Sequence, residues 1–282
     1  MNKMRNRLLT THIVLVLFIT CSILHAFTLD DYAKTVLCFV DARITVQKDG
    51  TKSEELFPIG SGFVISGKSN PFIVTASHVA KILTSKAKII VNGSGNVSDI
   101  VPLSAIYDEK SNFWIYHMQA DLAVLKFKLN EKVYLNAPFD VFSIPFNVII
   151  NSKIAPARDL DVYIMGFPLG LGYREGNFSP LSKQTRASSG LLTLNRSDSH
   201  TPQQFFILAD PSIGGYSGSP VCRLDLPIRM GGATMSAGQV VECYGVIHGT
   251  LSDDTGGKMA AVTPAYYLSD LMREVENSTE KK

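Results

Sequence analysis

GGYSGSP, residues 214–220, is the stretch on which the reading of this 282-residue chain turns. Two glycines precede Ser217, one follows it, and Pro220 closes the run. Such a segment is either a tight turn in a β-rich protein or a backbone bent to present one hydroxyl. The seven residues fit both descriptions, so their surroundings must decide.

Those surroundings are short apolar runs broken by turns. TVLCFVDARITV, GSGFVIS, PFIVTAS, AKIIVNG, DLAVLKFKL, DVYIMGF, SGLLTL, QQFFILAD, SPVCRL, QVVECYGVIHG and KMAAVTP are rich in Val, Ile, Phe and Thr. Many are bounded by Gly, Asn, Asp or Pro, which punctuates strands rather than helices. Many short strands with few helical signals indicate an all-β chain, built as an antiparallel barrel or sandwich. One short helix is expected after His78 (VAKIL). A second is expected near the end (TPAYYLSDLMREVENS), with Pro264 in its first turn. The segment FDVFSIPFNVIINSKIAPARD reads as a joint between two β units of similar size, residues 27–145 and 146–282.

Composition narrows the class. The chain is 45% hydrophobic and 18% charged, enough for one or two packed cores. Its net charge is only +2, and no basic run with interleaved aromatics marks a nucleic-acid partner. MNKMRNR followed by LLTTHIVLVLFITCSILHA joins a basic start to an apolar stretch, a secretory signal over residues 1–26 with cleavage near Ala26. The body is therefore expected to be exported, periplasmic or secreted, with membrane association only if that segment stays uncut. Removing it leaves Cys38, Cys222 and Cys243. Export permits a disulfide, and Cys222 and Cys243 flank a loop between two strand-like runs, so a bridge between them is expected; buried free thiols are the alternative.

A serine hydroxyl needs a base beside it, and the base needs a partner that fixes its tautomer. His78 stands where an apolar run ends in small residues (FIVTASHVA), and Asp121 leads into an alternating strand (QADLAVLKF). Each alone reads equally well as a structural residue. Together, in the order His78, Asp121, Ser217 and with strands between them, they describe an assembled nucleophile.

At this point the blocks GSGFVIS, IVTASHV, DLAVLKF, GFPLG, SSGLLTL, DPSIGGYSGSPV and YGVIHG resemble the successive signatures of chymotrypsin-fold (trypsin-like) serine proteases. The nearest resemblance is to the bacterial branch with the high-temperature-requirement proteases and glutamyl endopeptidases. The resemblance spans roughly residues 35–270 and implies two six-stranded antiparallel β-barrels with a cleft between them. His78 and Asp121 would come from the first barrel and Ser217 from the second. The backbone N–H groups of Gly215 and Ser217 would form an oxyanion hole. Protein or peptide substrates would follow, with no cofactor. Pro211 and Ser212 would wall one side of the specificity pocket, and His248, Gly249 and Thr250 the other.

The chain also departs from parts of that family. Tyr216 stands where digestive enzymes place an acid, so activation by a new N-terminus is not expected. With 33 residues after Gly249, a C-terminal peptide-binding domain is not expected. His248 is one residue out of step with the histidine that glutamyl endopeptidases use to bind glutamate, and a one-residue shift reverses a strand's facing. No HExxH or other ligand spacing suggests a metal. Two other readings remain: a catalytically silent chymotrypsin-fold binding module, and an esterase-type hydrolase. The second lacks its G-x-S-x-G elbow, because position 219 is serine.

Overall fold

The apolar alternation does drive the chain into strands. The computed structural model describes residues 28–67, 71–106, 114–126, 143–196, 198–225, 228–230, 233–235, 241–252 and 254–279. The expected leader, residues 1–26, lies outside the described residues.

A five-residue helix, α1 (Leu29–Ala33), opens the described chain. Thr28 and Asp31 form a reciprocal capping box at its start, a signal carried by the letters TLDD. Then come β1 (Val36–Val46), β2 (Lys52–Ser66), β3 (Pro71–Thr75), the short helix α2 (Ser77–Ile82), β4 (Lys88–Asn92), β5 (Ser98–Pro102), β6 (Ile115–Tyr116), β7 (Ala123–Lys126) and β8 (Ile144–Pro145). These strands form one sheet in the order β5-β4-β1-β2-β3-β7-β6, with the two-residue β8 lying parallel to β2.

The second half holds β9 (Asp161–Gly166), β10 (Leu181–Arg186), β11 (Leu192–Asn195), β12 (Pro202–Leu208) and β13 (Pro220–Leu224). A small hairpin follows, β14 (Ile228–Met230) with β15 (Ala233–Met235), and then β16 (Val241–Ser252), β17 (Lys258–Pro264) and helix α3 (Ala265–Thr279). Here the sheet order is β10-β9-β13-β16-β17-β12-β11. Beyond the end of β10, Ala187 bridges Leu208, Ser188 N–H donates to Ile207 O at 2.8 Å and Ala209 N–H donates to Arg186 O at 2.8 Å. Those bonds link β10 back to β12, the far side of the same sheet. The architecture is thus mostly β, two antiparallel sheets with a C-terminal helix.

Local chemistry explains where the elements start and stop. β1 is buried through its first six residues and exposed beyond, where it runs into a solvent-facing hairpin with the polar half of β2. Pro264 ends β17 rather than entering the helix, and α3 begins at Ala265. α3 buries Tyr266, Leu268, Leu271, Met272 and Val275, closing one core of the molecule. Tyr32 of α1 is fully buried, and its hydroxyl donates to Pro220 O at 3.0 Å, on the strand that follows GGYSGSP.

The expected Cys222–Cys243 disulfide is not formed: Cys38, Cys222 and Cys243 are free, buried thiols. Cys222 and Cys243 do stand opposite each other on β13 and β16. Facing residues of an antiparallel ladder hold their Cβ atoms about 4.5–5.5 Å apart. A disulfide needs about 3.8 Å, so the sheet brings the sulfurs together without bonding them.

Candidate active site

The Ser217 turn is built by contact between the two sheets. Ser61 of β2 donates its hydroxyl to Gly215 O at 2.7 Å and its backbone N–H to Ser217 O at 2.8 Å. The same hydroxyl accepts from Phe167 N–H at 2.9 Å. Gly215 and Gly218 adopt φ of +105° and +88°, a region that favours glycine. A Cβ at Gly218 would fall on the Ser61 carbonyl oxygen and the Thr75 hydroxyl. The glycines around Ser217 therefore let the turn bend and let the first sheet approach it. Among the described residues, the N–H groups of Gly215 and Ser217 donate to no protein acceptor, while those of Tyr216, Gly218 and Ser219 bond within the fold.

His78 sits in the first turn of α2, immediately after the buried end of β3. Its Nδ1 lies 2.7 Å from Asp121 Oδ2, and its ring remains 28% exposed while Asp121 is fully enclosed. Asp121 is held by a turn whose frame is His117. The Nδ1 of His117 accepts from the N–H groups of Gln119 and Ala120, and its ring packs edge-on against Tyr267. The Asp121 carboxylate also accepts from Ser77 Oγ at 2.6 Å and from the His78 backbone N–H at 3.0 Å. Burial would push this carboxyl up; the hydrogen bonds from His248 and His78 outweigh it and hold it well below the usual carboxylate range.

His248 departs from the pocket-wall position expected of it. Its carbonyl accepts from Ser217 Oγ at 3.1 Å. Its imidazole turns inward, 1% exposed, with Nδ1 at 2.5 Å from Asp121 Oδ2 and its ring against Phe205 at 5.0 Å between centroids. The physical reason is the irregularity between Ile247 and Gly249 in the β16–β17 ladder, which turns the strand locally. An imidazole so placed is not available to a substrate side chain. Ser217, in turn, makes no hydrogen bond to His78.

Of the remaining pocket residues, Pro211 and Gly249 are open to solvent to differing degrees and Ser212 is buried. Thr250 Oγ1 donates to Ser212 O at 3.2 Å, so the two predicted walls do meet. A Cβ at Gly249 would lie 3.7 Å from Ser217 Oγ, so the bare backbone there leaves the hydroxyl open.

Sequence reasoning missed Arg196, Gln203 and Ser77. Arg196, 5% exposed, reaches Ser77 Oγ at 2.9 Å and Asp121 Oδ1 at 3.5 Å, and pairs with Asp198 at 2.6 Å. Gln203 Oε1 accepts the Asp121 backbone N–H at 2.8 Å while its amide donates to Thr263 Oγ1 at 2.9 Å. A polar residue inside an apolar strand, as Gln203 is before FFIL, was the one available signal. His78, Asp121 and His248 bring ligand atoms within 4.8 Å of one another, a spacing a metal ion could share. Both imidazoles already meet Oδ2 through Nδ1, however, and the Arg196 guanidinium beside Oδ1 would repel a second cation.

A family model described as the trypsin-like peptidase domain matches residues 60–225. Among solved structures, the chain is similar to the scabies mite inactivated protease paralogue S-I1. The two share 12% sequence identity with a TM-score of 0.51, over 88% of this chain and 96% of that one. That likeness is one of fold. A search of curated proteins finds no match.

Proposed function

Because the chain belongs to the trypsin-like peptidase domain family, we propose that it is a serine endopeptidase acting through a Ser217–His78–Asp121 triad. The observation that carries the reading is the 2.7 Å contact between His78 Nδ1 and buried Asp121, one wall away from a serine on a glycine-shaped turn. With Nδ1–H donated to Asp121, His78 is left with Nε2 as the base. It takes the Ser217 proton during attack on a peptide carbonyl and returns it to the leaving amine, while Asp121 stabilises the imidazolium. The N–H groups of Gly215 and Ser217 receive the oxyanion. Each such donor is worth about 2.7–4 kcal/mol.

In the free protein the Ser217 hydroxyl is turned to the His248 carbonyl. Catalytic hydrogen bonds in free enzymes often form only when substrate docks. The catalytic reading requires the hydroxyl to turn from that carbonyl to His78 Nε2. The same observation favours a second reading, a silent binding module, and the scabies mite relative is itself described as an inactivated protease paralogue. Ser217 and both its partners are present here, so the catalytic reading stands first.

The missing acid before Ser217 and the serine at 219 favour the bacterial branch over the digestive one. The basic-then-apolar start of the sequence supports export. The two β units, residues 27–145 and 146–282, supply the walls of the cleft. Pro211, Ser212, Gly249 and Thr250 wall the specificity pocket in this reading, with the Lys183 ammonium donating to Pro211 O at 2.6 Å beside them. The test is active-site labelling: the purified chain is treated with a fluorophosphonate and its intact mass is compared with those of Ser217→Ala and His78→Ala. One adduct, absent from both variants, is expected. A folded protein that takes no label would sink the catalytic reading in favour of the binding module.

A further inference from the structure

Asp121 belongs to the first sheet's side of the cleft, yet three second-sheet residues close around it. Gln203 of β12 fixes its backbone, while His248 of β16 and Arg196, just past β11, reach its carboxylate. We propose that Arg196 and His248 are positioning residues for the reaction, holding Asp121 ionised and aimed at His78 from the opposite side of the cleft. The proposal rests on the catalytic reading above.

The geometry gives each residue a distinct task. Oδ2 accepts from both imidazoles, at 2.7 Å from His78 and 2.5 Å from His248. Both Nδ1 atoms must then carry protons, and the two rings meet edge to face, 5.6 Å between centroids. Flanked on either side, Oδ2 cannot swing away from His78 without breaking the second bond. Arg196 works on the other oxygen. It donates to the Ser77 hydroxyl, so that hydroxyl spends its own proton on Oδ1, at 2.6 Å.

Arg196 sets the charge balance around Asp121. The cluster contains buried Asp121, Arg196 and His248, part-exposed His78 and the more exposed Asp198, with His117 on the neighbouring turn. Arg196 offsets Asp198 through Nε and Nη2, at 2.8 and 2.6 Å. One negative charge is left at Asp121, available to a single new cation. That cation is the His78 imidazolium formed as Ser217 attacks. Burying a carboxylate without these partners would be strongly unfavourable. The triad is therefore complete only when the two sheets are docked.

The test uses the full chain and four variants: His248→Leu, His248→Asn, Arg196→Gln and Arg196→Lys. Each is assayed below its melting temperature for fluorophosphonate labelling rate and for kcat and KM against pH. His248→Leu and Arg196→Gln should lower labelling rate and kcat about 10²-fold, the scale of a 1 Å misplacement, with KM little changed. The acid limb of Arg196→Gln in kcat/KM should also move, because the charge near Asp121 and His78 has changed. His248→Asn places an amide N–H where Nδ1 stood and should recover most of the rate. A lowered melting temperature with unchanged kcat and pH profile would make the residues structural and overturn the proposal. Should Arg196→Gln not fold, the Leu and Asn variants at 248 decide it alone. No adduct on folded wild type would overturn the catalytic reading itself, whereas an adduct with unchanged variant rates would overturn only the positioning role.

Discussion

The two ends of the candidate site are held very differently. At the acid end, Asp121 is enclosed and receives hydrogen bonds from Ser77, His78 and His248, with Arg196 alongside. At the nucleophile end, the Ser217 side chain is half-buried and makes one bond, 3.1 Å to a carbonyl. The difference teaches where preorganisation is concentrated. A buried charge must be satisfied continuously or it destabilises the fold. A neutral hydroxyl at a cleft tolerates a loose resting partner and is put in place when substrate docks.

Breaking the nucleophile end should have the largest effect. Ser217→Ala should abolish labelling and lower kcat by about 10⁶-fold, measured as peptide hydrolysis, with little change in melting temperature. At the acid end, Asp121→Asn should cost about 10⁴-fold in kcat by favouring the wrong His78 tautomer, and unlike Ser217→Ala it should also lower stability. Equal stability for the two variants would contradict the contrast between the ends.

The hinge between them is Gly218. Gly218→Ala forces a Cβ against Ser61 O and Thr75 Oγ1 at φ +88°, and should destabilise by about 3 kcal/mol in urea unfolding. A smaller effect is expected from acid. The Asp121 carboxyl is held below its unfolded value. Its contribution to stability is therefore complete above about pH 4 and is lost as pH falls toward the folded value. Unfolding free energy should decline below about pH 4, and Asp121→Asn should flatten that decline. Smallest of all, reductant should leave the melting temperature unchanged, because Cys222 and Cys243 are thiols. A bridge closing that loop would have made a difference of about 3 kcal/mol.

Much of this was legible beforehand. The strands β1, β3, β4, β9, β12, β13 and β17 fall within runs of Val, Ile and Phe whose alternation gave them away. β5 (SDIVP), β10 (LSKQTR) and the first half of β2 (KSEELFPI) did not stand out, because their exposed faces carry too few apolar residues to show a period. Their pairing comes from backbone bonds to neighbours rather than from side-chain pattern. α1 was signalled only by its capping box, and five residues are too few for periodicity.

The sequence by itself determined the β class, the terminal helix, and the order His78, Asp121, Ser217, because local alternation and glycine placement act over a few residues. Tertiary structure alone decided that the His248 ring turns from the pocket to Asp121, that Arg196 is buried beside it, and that two facing cysteines stay unbonded. Each of those depends on strand register, a bulge, or a charge supplied from across the cleft. Partners 75 and 127 residues away in the chain, as Arg196 and His248 are from Asp121, leave no mark in local pattern. Their interaction exists only once the two sheets meet.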